Sequence, residues 1–211
     1  ITEKFFYKIK LNKEAIMKKL NLILTLVFAL IFSVKSIAAN NSDGFSVGDK
    51  VSDFTIDNYD GTSYTLSNSG ANYTVLIFLS TKCPFVQPYS ERLNNLVKEF
   101  SSNGVTIWGI NSNNTEPVDE IKTHSADHGY TFPVLKDNNN VVADMLKAER
   151  TPEFFVVRNS DMTLVYHGRI DDDKEAEKVT VNDLQNALND LNSGKEVAVS
   201  NTKAFGCTIK R

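Results

Sequence analysis

Two cysteines, Cys83 and Cys207, are the residues of this 211-residue chain best suited to chemistry. Cys83 lies in "LIFLSTKCPFVQPY", residues 76–89, where an apolar run gives way to Thr-Lys-Cys-Pro and then to a helical pattern. A thiol at the first turn of a helix meets unpaired N–H groups and the positive end of the dipole, and both favour thiolate. Pro84 suits the first helical position, where no N–H is needed, and Lys82 adds a positive charge. Such surroundings lower a cysteine pKa from about 8.5 towards neutrality and make the sulfur a nucleophile. The competing reading is a buried, inert cysteine, the ordinary state of an isolated thiol. Val86 stands where a Cys-x-x-Cys motif would carry its second cysteine, so no neighbouring thiol can resolve a disulfide formed at Cys83.

Cys207, in "AFGCTIK", follows the last helical pattern in a tail (residues 195–211) with no strong structural signal. A tail cysteine able to reach Cys83 would be a resolving thiol, turning a sulfenic acid or mixed disulfide into a Cys83–Cys207 bond. A permanent disulfide pinning the tail and a link to another chain are the alternatives. A permanent bridge would consume the only thiol at a site shaped for reactivity.

Positioning Cys83 requires a strand to end and a helix to begin beside it, and the pattern supplies both. Residues 73–80, "YTVLIFLS", form a nearly continuous β-branched apolar run, as in a strand buried on both faces. A helix is predicted from about Pro88 to Phe100, with Leu93, Leu96, Val97 and Phe100 on one stripe. "VTIWGIN" (105–111) reads as a second buried strand, and Thr115 as the cap of a helix running to about His128. "FPVLKD" is a short extended piece and "NVVADMLKA" a short helix. "EFFVVRN" and "TLVYHGRI" flank "SDM" as an antiparallel pair. Thr180 opens the last helix, with Asp183 at the capping-box position and Gly194 at the stop. Ahead of all this, alternating stretches around "NYDG" predict a hairpin turning at Asp60-Gly61. A strand–helix–strand unit closed by a hairpin implies an α/β fold, a mixed central sheet with helices on both faces.

Composition narrows the function. A net charge of −3 leaves no basic excess to neutralise phosphates, which argues against nucleic acid as a partner. Two cysteines are too few for a disulfide framework and make no zinc pattern. The N-terminal "MKKLNLILTLVFALIFSVKSIAAN" has the lysines, apolar run and small residues of a signal peptide over residues 17–39. An uncleaved membrane anchor is the rival, though the apolar run falls short of the roughly 20 residues that span a bilayer. Residues 1–16 precede the methionine and read as a non-native upstream extension. The expected compartment is periplasmic or secreted, and oxidising.

Strand, Cys-Pro, helix, second strand, Thr-Pro before a hairpin, and a closing helix: in that order, the pattern resembles the thioredoxin fold. More narrowly it resembles the redoxins, the alkyl-hydroperoxide-reductase/thiol-specific-antioxidant superfamily and its secreted thioredoxin-like relatives. The opening "VGDKVSDFTIDNYDGTSYTLS" and the second half "ERTPEFFVVRNSDMTLVYHGRIDD" carry the likeness. It implies a three-layer α/β/α domain over residues 40–194 with an N-terminal β-hairpin extension. It also implies that Pro152 is cis against Cys83, with Thr151, Pro84 and Phe85 forming a substrate-binding surface. Read from the residues alone, Pro152 is as well an ordinary trans proline before a strand.

Departures from the family separate the mechanisms. The redoxin Cys-x-x-Cys window reads "CPFV" here. The peroxidase signature Pro-x-x-x-Thr-x-x-Cys has Leu76 at its proline and Ser80 at its threonine, and Arg92 or Arg169 is left to supply its cation. The missing proline and arginine tilt the reading towards an extracytoplasmic thiol–disulfide oxidoreductase of the redoxin type, with Cys83 as nucleophile and Cys207 as the candidate resolving thiol. A thiol-dependent peroxidase is the alternative, and a non-catalytic binding module with a structural disulfide the third reading. Expected partners are protein or small-molecule thiols and disulfides, peroxide, and an external thiol reductant; no cofactor is called for. Three further features read blandly. His124 and His128 have metal-ligand spacing but no third ligand, so a solvated helix face is expected. "DDDKEAEK" reads as an exposed acidic loop. Trp108, Phe132, Phe154 and Phe155 read as core, while Phe85 and Tyr89 flank Cys83 as an apolar surface.

Overall fold

A computed structural model describes residues 45–211; the expected upstream extension (1–16) and signal peptide (17–39) lie outside the described residues. Five strands build the central sheet: β3 (Tyr73–Phe78), β4 (Val105–Asn111), β5 (Val134–Lys136), β7 (Glu153–Arg158) and β8 (Thr163–Gly168). Their order is β5-β4-β3-β7-β8. β3 runs parallel to β4 and antiparallel to β7, β4 parallel to β5, and β7 antiparallel to β8. This is the mixed sheet expected from a crossover unit closed by a hairpin.

The period of two along the strands sorts their side chains into two cores. Val75, Ile77, Phe154 and Val156 face one side, where helices α1 (Ser90–Phe100) and α4 (Asp183–Asn192) lay Leu93, Leu96, Phe100, Leu184, Leu188 and Leu191 over them. Leu76, Phe78, Phe155 and Val157 face the other. There the short α3 (Val141–Leu146) and the N-terminal hairpin, β1 (Thr55–Asp57) with β2 (Ser63–Thr65), complete the layer through Val142, Leu146 and Ile56, joined by Leu66 from the 3₁₀ turn after β2. The arrangement is α/β, with a mixed sheet between helical layers. Trp108, Phe132, Phe154 and Phe155 are buried, as their apolar setting predicts.

Several boundaries differ from the sequence reading. α1 begins at Ser90 behind a 3₁₀ turn, Gln87–Tyr89, because Pro88 has no N–H to continue a helical ladder. Pro117, not Thr115, occupies the extended N-cap position of α2 (Val118–Asp127). Thr180 does not cap α4; Asp172 takes its hydroxyl and the N–H groups of Thr180 and Val181, while Asp183 turns to Arg169. The largest difference is in the tail. Arg150–Thr151 (β6) pairs antiparallel with Cys207–Thr208 (β9), so the segment without a structural signal becomes a strand.

Candidate active site

β3 ends by handing Leu79 N–H to the Ile110 carbonyl at 2.8 Å, and the chain leaves the sheet towards Cys83. Glu116, only 2% exposed, fixes that exit. Its carboxylate accepts Ser80 Oγ at 2.6 Å, Thr81 N–H at 2.8 Å and Asn111 Nδ2 at 2.6 Å. Cys83 then opens a tight turn in which Val86 N–H reaches the Cys83 carbonyl at 3.0 Å. The thiol is therefore at the head of a turn and not on the first turn of an α-helix. Val86 is fully buried beside it, so this position is filled by a core hydrophobe.

Cys83 is 1% exposed, and its Sγ donates to the Thr151 carbonyl at 3.0 Å. The Thr151–Pro152 peptide is cis. Across β6–β9 the partner of Thr151 is Cys207, which brings the two thiols together. Burial pushes the Cys207 thiol up to about 11, followed by its hydrogen bond to Cys83 and the charge that Cys83 would carry. The backbone N–H of Phe85 opposes that shift. Thr151 thus lies between the two thiols: its carbonyl accepts Cys83 Sγ, and Cys207 is its partner across the ribbon. Both cysteines are free thiols.

The tail is clamped on either side of Cys207. Upstream, Thr202 N–H bonds to His167 O and His167 N–H to Ser200 O, both at 3.0 Å. Downstream, Ile209 is buried, its N–H on Glu149 O at 2.9 Å, and Asn113 Oδ1 accepts Lys210 N–H at 2.7 Å. Between the clamps Gly206 leaves no room for a side chain: a Cβ there would strike the Thr151 carbonyl, whose carbon would lie at 2.7 Å. Glu153 underpins the opposite side. Its Oε2 accepts the N–H groups of Glu149 and Arg150 at 2.8 Å each, and its Oε1 pairs with His167 Nε2 at 2.7 Å.

The proposed accessory groups are committed elsewhere. Ser80 gives its hydroxyl to Glu116, and Lys82 pairs with Glu120 at 3.1 Å and bonds to Thr115 O. Arg92 forms an ion pair with buried Asp171, donates to Asp173 O at 2.9 Å and lies 4.0 Å over the Tyr89 ring. Arg169 pairs with Asp183 at 2.7 Å. These cations build the fold. Tyr89 is buried and so offers no substrate surface, whereas Phe85 stays partly exposed with Phe205 edge-on at 6.4 Å. "DDDKEAEK" is only partly an exposed loop, since Asp171 is buried against Arg92.

His124 and His128 are not a solvated face either. Their rings lie 4.2 Å apart; His124 meets Gln87 Nε2 at 3.2 Å in the 3₁₀ turn, and His128 meets Ser90 Oγ at 2.9 Å at the head of α1. Burial, then the charge of His128, pushes His124 down. Among the described residues no three metal-ligating side chains cluster. Glu116, Glu153, His167 and Gly206 were not anticipated. An acid opening the apolar run "EFFVVR" and a glycine beside the tail cysteine were the available signals.

Three comparisons bear on this geometry. The model of the AhpC/TSA family matches residues 47–167. The thiol-disulfide oxidoreductase ResA of Oceanobacillus iheyensis is 24% identical over 189 residues, covering 87% of this chain and 93% of ResA. The ResA of Bacillus subtilis is 23% identical over 146 residues, covering 69% and 80%. Among solved structures, a hypothetical protein of Sinorhizobium meliloti 1021 is 31% identical with a TM-score of 0.72, covering 78% of this chain and 94% of its own. An uncharacterized conserved protein of Geobacillus kaustophilus is 30% identical with a TM-score of 0.73, covering 79% and 93%.

Proposed function

The chain is an oxidoreductase of the AhpC/TSA family, and we propose that it is an extracytoplasmic thiol–disulfide oxidoreductase whose redox centre is the pair Cys83–Cys207. The carrying observation is the placement of Cys207 opposite Thr151, whose carbonyl holds Cys83 Sγ. A motif split between the turn after β3 and the tail replaces Cys-x-x-Cys. Thiolate Cys83 attacks a disulfide sulfur, the substrate's S–S bond breaks, and one substrate thiolate leaves. Cys207, deprotonated at that moment, then attacks Cys83 Sγ, expels the second thiolate and closes the Cys83–Cys207 bond. Two electrons pass from the protein to the substrate, and the reverse sequence oxidises thiols. The clamps on the tail hold the resolving sulfur in place, so the second step proceeds without a search. Thr151, cis-Pro152, Pro84 and Phe85 form the wall of the site. The relatives' name, thiol-disulfide oxidoreductase, supports exchange as the reaction. The signal-peptide pattern of residues 17–39 supports the extracytoplasmic location.

The peroxidase reading finds less support, because Arg92, Arg169 and Lys82 are each paired with a carboxylate (Asp171, Asp183 and Glu120) and Ser80 gives its hydroxyl to Glu116. The test is trapping with oxidised glutathione. A Cys207→Ser protein is expected to accumulate a stable glutathione adduct on Cys83, while the wild type passes to an adduct-free protein that has lost two hydrogens. An unmodified Cys83 in the variant would overturn the proposal.

A further inference from the structure

Cys83 is buried, so the disulfide it attacks has to be admitted by movement of the turn that holds it. That turn is gripped from one side by α2. Glu116, Glu120, His124 and His128 stand four residues apart on the helix and at its ends, and they meet the chain in order. Glu116 takes Ser80 and Thr81, Glu120 takes the Thr81 hydroxyl and pairs with Lys82, His124 meets Gln87, and His128 meets Ser90. The third of these contacts spans the turn. Gln87 Nε2 donates to the Thr81 carbonyl at 3.1 Å and lies 3.2 Å from His124 Nε2, so one amide ties residue 81 to residue 87 with Cys83 between them.

The Gln87 amide nitrogen has two hydrogens. One goes to Thr81 O and the other to His124 Nε2, which accepts and therefore carries no proton. A proton on that nitrogen would set two donors face to face. Flipping the amide offers its oxygen to the imidazolium but sets that oxygen against the Thr81 carbonyl, so the tie to Thr81 is lost either way. His128 differs. Ser90 Oγ spends its hydrogen on the Gln87 carbonyl at 3.2 Å and is left to accept from His128 Nδ1, a bond that survives protonation. The titratable groups facing His124 are His128, Glu116, Glu120 and Asp127 from α2 and its ends. The turn presents Lys82, itself paired with Glu120, and the loop before β5 presents Tyr130, 5.8 Å away ring to ring and kept neutral by burial. α1 presents the neutral Ser90 and Asn94 to this corner. Burial and then His128 oppose a charge on His124, so at neutral pH the bridge is made. Resting on the reading of Cys83 as the attacking thiol, we infer that His124 is a positioning residue: neutral, it latches the Cys83 turn through Gln87, and on gaining a proton it releases the turn and opens the way to the sulfur. Access to Cys83 thus rises as the pH falls, against the fall in its thiolate fraction.

The test uses Cys207→Ser protein, so that Cys83 is the reacting thiol, and compares it with the same protein carrying His124→Gln, whose side-chain oxygen accepts at every pH. Both react with dithiodipyridine at about pH 7.5 and about pH 5, on either side of the ordinary histidine value. Dividing one rate by the other removes the thiolate fraction and the chemistry of the probe. The rate of the histidine protein relative to the glutamine protein is expected to rise by about five-fold or more on acidification, the factor that one net hydrogen bond is worth. A ratio that stays level or falls overturns the inference. Gln87→Ala in the Cys207→Ser background has no latch to open, so it should outpace its parent at neutral pH and lose that lead in acid; equal rates at neutral pH overturn the inference too. As a second measurement, hydrogen exchange in the wild-type protein follows the Val86 and Tyr89 amides, which bond to the Cys83 and Val86 carbonyls at 3.0 Å each. Corrected for intrinsic exchange, their protection should fall in acid more than that of β3, and unchanged protection contradicts release of the turn. A Cys83 that takes up the pyridine thiol but never glutathione sinks the oxidoreductase reading, while the same rate ratio still decides the latch.

Discussion

Thr151 and Cys207 face each other across the β6–β9 ribbon, and the carbonyl of the same Thr151 accepts the Cys83 thiol at 3.0 Å. One backbone unit thus orders both sulfurs. A short pairing in the tail does what sequence proximity does in a Cys-x-x-Cys turn.

Gly206 is what lets the tail approach. Because a Cβ there would meet the Thr151 carbonyl, Gly206→Ala should push residues 205–207 away from β6. Closure of the disulfide is expected to slow by about ten-fold or more, since misplacing a reacting group by about 1 Å costs up to about 100-fold. Cys83 should become more reactive to iodoacetamide, as its cover loosens. Stopped-flow thiol counting and alkylation rates check both.

Glu116 holds the exit of β3 through Ser80, Thr81 and Asn111. Glu116→Ala leaves those donors without their acceptor in a buried site, and a loss of about 3 kcal/mol is expected, since hydrogen bonds to charged groups are worth about 1.5–3 kcal/mol each and do not add fully. Urea unfolding measures it. Exchange at Cys83 should also slow in the folded fraction, because the turn that presents the sulfur loses its anchor.

Arg92 makes the opposite prediction. Its removal strands Asp171, already pushed up by burial and held back by the guanidinium. Arg92→Ala should cost about 3–5 kcal/mol, the usual penalty for breaking a buried ion pair. Exchange per folded molecule should stay within about two-fold of wild type, which a residue acting as peroxidase cation would not allow. Measuring stability and single-turnover rate on one preparation separates the roles.

The fold was largely readable because its signals are periodic: buried runs at 73–80 and 105–111, and apolar stripes on the helices. Cys83 was readable as the residue at the strand's end. Its surroundings were less so. Arg92 and Arg169 stand among many surface-like charges, and only folding shows that Asp171 and Asp183 consume them. Glu116 sits in the polar run "NSNNTEP", where nothing marks one acid as buried. The tail strand has two residues and no alternation to detect, because its stability comes from the edge it joins and from the clamps at Thr202 and Ile209.

His124 gives the protein a pH dependence of known sign. Its folded pKa is depressed, by burial first. As pH falls below about 6.5, the unfolded chain takes up this proton before the native one, so stability declines through the window between the unfolded and folded values. Stability present above about pH 6.5 is thus lost on acidification. Urea midpoints at pH 7.5 and 5.5 should differ more for wild type than for His124→Gln; an identical shift would remove His124 as the cause.

Equilibration of reduced wild-type protein in glutathione redox buffers of graded ratio, followed by acid quench and alkylation of both cysteines, reads the pair itself. A reversible Cys83–Cys207 centre predicts that the two thiols disappear together as the buffer becomes oxidising, linked to one another, and return together without denaturant when it is made reducing. Thiols that stay alkylatable throughout, or a bond that only unfolding allows to be reduced, would contradict it.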